Sequence, residues 1–284
     1  MEIKTVSVIG GGLMGRQIAL NNAKYGFVSY LTDVNEAVCA DAVKWADEYL
    51  AGRVAKGRMT EEEVAATKEK FIVTTNLEEA VKDADLVIEA IFEDENAKHE
   101  IFQKLNKFCR KDTILATNSS AMVSSIFVPD VDDPSRLANL HYFNPALVME
   151  LTEVIKGEHT SEATAQALMD FSKATGKHPV LMNKEIEKFI VNRIIQAVVN
   201  EAYWLVENGY CTFQDVDIAC EKGAGHKMGP FRTKDLTGLD RNFYMMQVEW
   251  EKTGKKPVGY DLYKPLIDAG RFGRKTGHGF YDYE

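Results

Sequence analysis

The chain has 284 residues, 45% hydrophobic and 27% charged, a make-up that fits one large or two ordinary globular domains and excludes disorder as the main state. Its 34 Lys and Arg face 43 Asp and Glu, a net charge of −9, so general binding of nucleic acid or of anionic membrane is not expected and an anionic ligand needs a local site. No apolar run is long enough to span a bilayer, and Met1-Glu2-Ile3-Lys4 lacks the layout of a signal peptide, so the cytoplasm is the expected setting.

In chain order, Thr5–Ile9 and Phe27–Leu31 read as short strands, the second leading to Thr32-Asp33. Asn35 caps a helix to about Ala55, and Thr60-Glu61-Glu62-Glu63 opens another with a capping box. Phe71–Thr74, Leu86–Ile91, Thr113–Ala116 and Arg136–Leu140 are further strands, and Met149–Ile155 alternates like one. Such alternation of strand and helix implies a mostly parallel, doubly wound sheet covered on both faces. Near Asn183 the character changes. From Phe189 to Val206 the apolar positions follow helical spacing in a wide stripe, which fits a dimer interface or a simple core helix. The expected organisation is a sheet domain over residues 1–183 and an all-α domain over 184–284, ending in a tail from Gly270 rich in glycine and aromatics. The cysteines Cys39, Cys109, Cys211 and Cys220 are scattered, without a C-x-x-C pair or a nearby histidine cluster. They read as reduced thiols, and no metal site is expected.

Gly10, Gly12 and Gly15 form a G-x-G-x-x-G between the first strand and a helix from Leu13. In that context the glycines allow a tight turn, a close backbone approach to a pyrophosphate and close helix–strand packing, with Leu13 and Met14 inside the loop. The helix N-terminus presents its N–H groups to the phosphates. Asp33, closing the next strand, would take the adenine ribose hydroxyls. Its carboxylate would repel a 2′-phosphate and no Arg follows in Val34-Asn35-Glu36, so NAD is favoured over NADP.

Among the histidines, His141 is placed just past a strand and before Tyr142-Phe143-Asn144-Pro145, at the sheet edge where α/β proteins bind ligands. It reads either as a general base or as a satisfied structural histidine. Glu153 shares a strand face with Leu151 and Ile155, and a carboxylate on an apolar face needs a partner. His141 is one candidate and a Lys or Arg another. Asn118-Ser119-Ser120 reaches the same edge and offers amide and hydroxyl groups to a ligand, or simply forms a turn.

Together with Val8–Gly15, Leu86–Ala90, Ala116–Ser120, His141–Pro145, Leu151–Ile155, Gly176–Val180, Phe189–Arg193, Met228–Phe231 and Gly273–Gly277, these residues resemble the 3-hydroxyacyl-CoA dehydrogenase family in its short, 3-hydroxybutyryl-CoA dehydrogenase form. The resemblance implies a Rossmann-like domain followed by a helical domain for substrate and dimerisation. It implies His141 as general base with Glu153 as its carboxylate partner, and Ser120 and Asn192 around the reacting oxygen. It implies Glu93, Lys98 and Asn118 near the NAD, Lys56 with Arg53 toward an acyl-CoA substrate, and a homodimer. The chain departs from the family pattern in three places: Glu187-Lys188 where Pro-Gly is usual, Ala121 for a Ser, and Gly52 for a Lys. They leave two other readings open, a dehydrogenase of free 3-hydroxy acids or sugar acids and a non-catalytic, crystallin-like NAD(H)-binding protein.

Overall fold

A computed structural model describes residues 2–284. The chain divides into two compact units, the first ending at Phe189 and the second running Ile190–Glu284. This division lies beyond the junction expected at residue 183. The intervening segment is held by the first unit, where the Glu185 carboxylate accepts hydrogen bonds from Ser124 Oγ (2.7 Å) and Ser125 N (2.9 Å).

The first unit is built from β1 (Thr5–Ile9), α1 (Leu13–Lys24), β2 (Val28–Thr32), α2 (Glu36–Ala55), α3 (Glu61–Lys70), β3 (Phe71–Thr74), α4 (Leu77–Val81), β4 (Leu86–Glu89), α5 (Glu95–Phe108), β5 (Ile114–Thr117), β6 (Leu137–Tyr142), β7 (Leu151–Ile155), α6 (Glu162–Ala174) and β8 (His178–Met182). The eight strands form one sheet in the order β3-β2-β1-β4-β5-β6-β7-β8. Neighbours are parallel except β6 and β7, which are antiparallel. Alternate residues feed two cores. Val6, Val8, Leu86, Ile88, Ile114 and Ala116 pack on one face with Ile18 of α1. Ile9, Val87 and Leu115 pack on the other with Phe102 and Leu105 of α5. A strand buried on both faces has no polar side to show, which is why these strands read as continuous apolar runs.

The capping expectations are met in detail: Asn35 accepts from Ala37 N, and Thr60 and Glu63 form a reciprocal capping box. One boundary moves in a way that matters. His141 lies inside β6 rather than beyond its end, because pairing with the antiparallel β7 carries β6 on to Tyr142.

The second unit is helical, with α7 (Val191–Glu207), α8 (Phe213–Ile218), α9 (Pro230–Thr237), α10 (Leu239–Thr253) and α11 (Tyr260–Asp268). Its core is aromatic: Tyr203, Phe231 and Tyr263 are buried together with Phe213 and Phe280 packed against them. The glycine-rich tail is tied in by Asp235, whose buried carboxylate accepts from Phe280 N, Tyr281 N and the Tyr283 hydroxyl. α7 starts at Val191, after the expected Phe189. Its Val199, Ala202 and Tyr203 are buried, whereas Ile194 and Ile195 stay 59% and 47% exposed. The four cysteines are unpaired, and burial pushes the Cys109 thiol up to about 12, which keeps it protonated and unreactive. No helix among the described residues is long and apolar enough to cross a membrane.

Candidate active site

The sheet order reverses at β1. From β1 the chain builds β2 and β3 on one side, then returns to lay β4 on the other. A crevice opens outside the carboxyl ends of two such strands. The glycine loop lies there. Gly10 has φ +106, and a Cβ on it would stand 2.7 Å from Ala90 O. A Cβ on Gly15 would stand 1.8 Å from Gly10 O, so both positions exclude any side chain. At Gly12, by contrast, a Cβ would meet nothing within 4 Å, so the backbone there faces open space. Gly12 is also the N-cap of α1 and gives it no side-chain cap. The first N–H groups of α1 therefore remain for an anion. This open cradle at an uncapped helix N-terminus fits a dinucleotide pyrophosphate, with Leu13 and Met14 in the first turn of the helix. The Asp33 carboxylate accepts from Gly11 N (2.8 Å) and Asn35 N (3.0 Å), which holds it at the rim of the loop.

The C-terminal ends of β4, β5 and β6 continue the same edge. β6 and β7 pair His141 directly with Glu153, and His141 Nδ1 lies 2.8 Å from Glu153 Oε2. Both residues are buried. A carboxylate only accepts, so Nδ1 carries a hydrogen and donates it to Glu153, which leaves Nε2 as the ring nitrogen not spent on that bond. The imidazole packs against Phe143, at 4.7 Å between ring centres, and against Phe189, at 5.3 Å. Asn118 follows β5 and ties two strands, its N–H bonding to Glu89 O and its side-chain oxygen accepting from Tyr142 N. Its carbonyl oxygen is thus taken up by the fold. Ser119 Oγ and Ser120 N both bond to Glu93, and Ser120 itself is exposed.

Lys98 lies deeper than a ligand-binding lysine would. Its side chain is 1% exposed, and its ammonium sits 2.7 Å from Glu89 and 3.4 Å from the half-exposed Glu93. It meets the crevice through Glu93. Glu89 is the site residue that sequence reasoning passed over. Its carboxylate also accepts from Thr117 Oγ1 (2.6 Å) and Ile91 N (2.8 Å). The signal was present: a charge closing an apolar, centrally placed strand demands a partner, the same argument that singled out Glu153.

Basic residues cluster at the end of α2 (Arg53), in the link after it (Lys56, Arg58) and on α3 (Lys68). Lys68 is paired with Asp47 at 2.7 Å, while Lys56, Arg53 and Arg58 take part in none of the ion pairs among the described residues, with Lys56 and Arg58 exposed. Gly52, inside α2, faces open space: a Cβ there would meet nothing within 4 Å. Glycine inside a helix costs roughly 0.5–1 kcal/mol relative to alanine. Gly52→Lys is therefore expected to stabilise the protein by somewhat under 1 kcal/mol in urea unfolding. A destabilised variant would show that the position is not open. Asn192 lies on the first turn of α7, in the second unit.

Residues 5–186 match the NAD-binding domain of 3-hydroxyacyl-CoA dehydrogenases, and residues 189–283 match the C-terminal domain of the same enzymes. The chain belongs to the 3-hydroxyacyl-CoA dehydrogenase family. It is 39% identical to human mitochondrial hydroxyacyl-coenzyme A dehydrogenase over 294 aligned residues, covering 99% of this chain and 92% of the relative. It is 37% identical to a probable 3-hydroxybutyryl-CoA dehydrogenase of Bacillus subtilis, covering 100% of this chain and 99% of that one. Among solved structures, (S)-3-hydroxybutyryl-CoA dehydrogenase of Ralstonia eutropha matches with a TM-score of 0.89 at 30% identity, covering 100% of both chains. The dehydrogenase family thus accounts for both units and for the glycine loop between β1 and α1.

Proposed function

We propose that this dehydrogenase oxidises L-3-hydroxyacyl-CoA to 3-oxoacyl-CoA, or runs the reverse reduction, on short acyl chains, with His141 as the base. The His141–Glu153 pair, on the same edge of the sheet as the glycine loop, carries the reading. NAD, when bound, accepts the hydride leaving C3 of the substrate. As that bond breaks, the 3-hydroxyl proton passes to His141 Nε2 and the oxygen becomes a carbonyl. Glu153 keeps Nδ1 protonated and steadies the imidazolium that forms. Ser120 and Asn192 donate to the reacting oxygen, which lowers the same barrier as proton removal. Asp33 takes the ribose hydroxyls and disfavours NADP. Lys56 and Arg53 meet the anionic nucleotide of CoA, and the exposed Ile194 and Ile195 of α7 support a homodimer through the helical unit.

A second reading, turnover of carbonyl or hydroxy compounds without CoA, is favoured by Gly52, which offers no cation beside Lys56. A diketoreductase described as acting on dicarbonyl compounds matches this chain with a TM-score of 0.88 at 29% identity. NADH consumption should be followed with acetoacetyl-CoA, free acetoacetate and a panel of sugar acids. The expected result is turnover of acetoacetyl-CoA well above the free acids. Activity confined to the free acids would overturn the CoA assignment.

A further inference from the structure

Among the described residues, only Lys188 and Phe189 adopt positive φ without being glycine, at +67° and +53°. Adjacent left-handed residues bearing side chains are disfavoured, because Cβ crowds the backbone. Such strain persists only where the surroundings over-determine it, and it concentrates at functional positions. Here the surroundings are explicit. Glu185 is pinned by Ser124 Oγ and Ser125 N, and Phe189 N bonds back to Ile186 O at 3.3 Å. The outcome of the strained turn is a fully buried Phe189 ring set 5.3 Å from the imidazole of His141, at 57° to it. Phe143 covers the ring from a second direction at 4.7 Å.

We propose that Phe189 is a positioning residue for the dehydrogenase reaction: the strained turn at Lys188-Phe189 presses its ring against His141 and restricts the imidazole to the one orientation in which Nδ1 meets Glu153 and Nε2 is offered to the substrate. This rests on the reading of His141 as the base. A single bond to Glu153 fixes one ring atom but leaves the ring free to swing about it. Two aromatic neighbours remove that freedom. Burial alone would not require Phe189 to adopt a left-handed backbone, since an apolar side chain can be buried from an ordinary turn. The strained backbone is accounted for by where the ring has to be.

The test uses Phe189→Leu, which keeps apolar volume and loses the flat wall, with Phe189→Ala as the more drastic variant. Turnover of acetoacetyl-CoA, NADH affinity by fluorescence, melting temperature and the His141 ring signal in a histidine-labelled NMR spectrum are recorded for each. His141→Gln, made in parallel, identifies that ring signal by its loss. For Phe189→Leu a kcat lower by about ten- to a hundredfold is expected, with NADH affinity unchanged and the ring signal broadened or split. A side chain that merely fills the core would lower the melting temperature while leaving kcat and the ring signal as they were, and that result overturns the proposal. So does a lower kcat with an unaltered ring signal. Lys188→Gly, which relieves the backbone without touching the ring, is expected to raise the melting temperature; a lower one would overturn the assignment of strain. If His141→Gln itself keeps full turnover, the reading of the base fails, independently of what Phe189 does to the ring.

Discussion

His141→Gln should lower turnover of acetoacetyl-CoA by about three orders of magnitude, within the range of 10² to 10⁴ that general acid–base groups contribute, while NADH binds as before. The two effects separate because they arise at different strand ends. The cradle for the dinucleotide is made of backbone at Gly10–Gly15, between β1 and α1, and asks nothing of an imidazole. In the proposed mechanism the proton, by contrast, passes to His141 Nε2, since Nδ1 is spent on Glu153 at 2.8 Å. Glutamine fills much of the space beside Phe143 and Phe189 but has no atom basic enough to take a hydroxyl proton. Stopped-flow absorbance of NADH gives the rate of hydride transfer, and fluorescence titration gives the affinity. A rate within a few-fold of the wild type would remove His141 from the mechanism. Glu153→Gln should fall between the two. Its amide can turn an N–H toward Nδ1 and so favour the tautomer with the hydrogen on Nε2, which blocks the base without removing it.

Glu89→Leu is expected to destabilise the protein by about 3–5 kcal/mol, the usual consequence of stripping one partner from a buried ion pair. The carboxylate is fully buried and Lys98 nearly so. Without Glu89 the ammonium keeps only Glu93, at 3.4 Å, and Thr117 Oγ1 and Ile91 N lose their acceptor. The double variant Glu89→Leu/Lys98→Met removes the stranded charge and should recover a good part of the stability, because a buried pair can often be exchanged for apolar groups at small net cost. Urea unfolding of the wild type, both single variants and the double variant closes the cycle. Additive losses would mean that Glu89 and Lys98 do not act as a pair. The double variant should still lose turnover: Glu93 would keep its bonds from Ser119 and Ser120 but not the cation that holds it, and the Ser120 loop would loosen.

The same contrast separates what the sequence conveyed about the site from what it did not. The glycine loop was legible because its cause is local. Three glycines at fixed spacing between a strand and a helix have few structural uses, and the clash distances at Gly10 and Gly15 are that requirement in atomic form. Glu153 was legible as a carboxylate in need of a partner, but several cations could have met the need. Glu89 could have been found by the same logic and was hidden by its place at the end of an apolar run. Lys98 was expected near the NAD only through the family resemblance, and nothing in α5 alone says that its ammonium turns inward onto β4. The spacing around Phe189 suggested helix; its left-handed backbone and its contact with His141 arise from bonds between distant segments.

By itself, then, the order of residues determined the alternation of strands and helices, the dinucleotide loop, the acid that closes β2, and the placing of a histidine and of a carboxylate in need of a partner on neighbouring strands. Each of these follows from periodicity, capping or side-chain chemistry within a short stretch of chain. The tertiary structure alone decided that β7 runs antiparallel to β6 in the register that sets His141 against Glu153, that Lys98 is shared by Glu89 and Glu93, and that Phe189 closes over the imidazole. Those outcomes depend on which segments far apart in the chain become neighbours, and that is settled by packing the whole sheet and its two cores at once, not by any local preference.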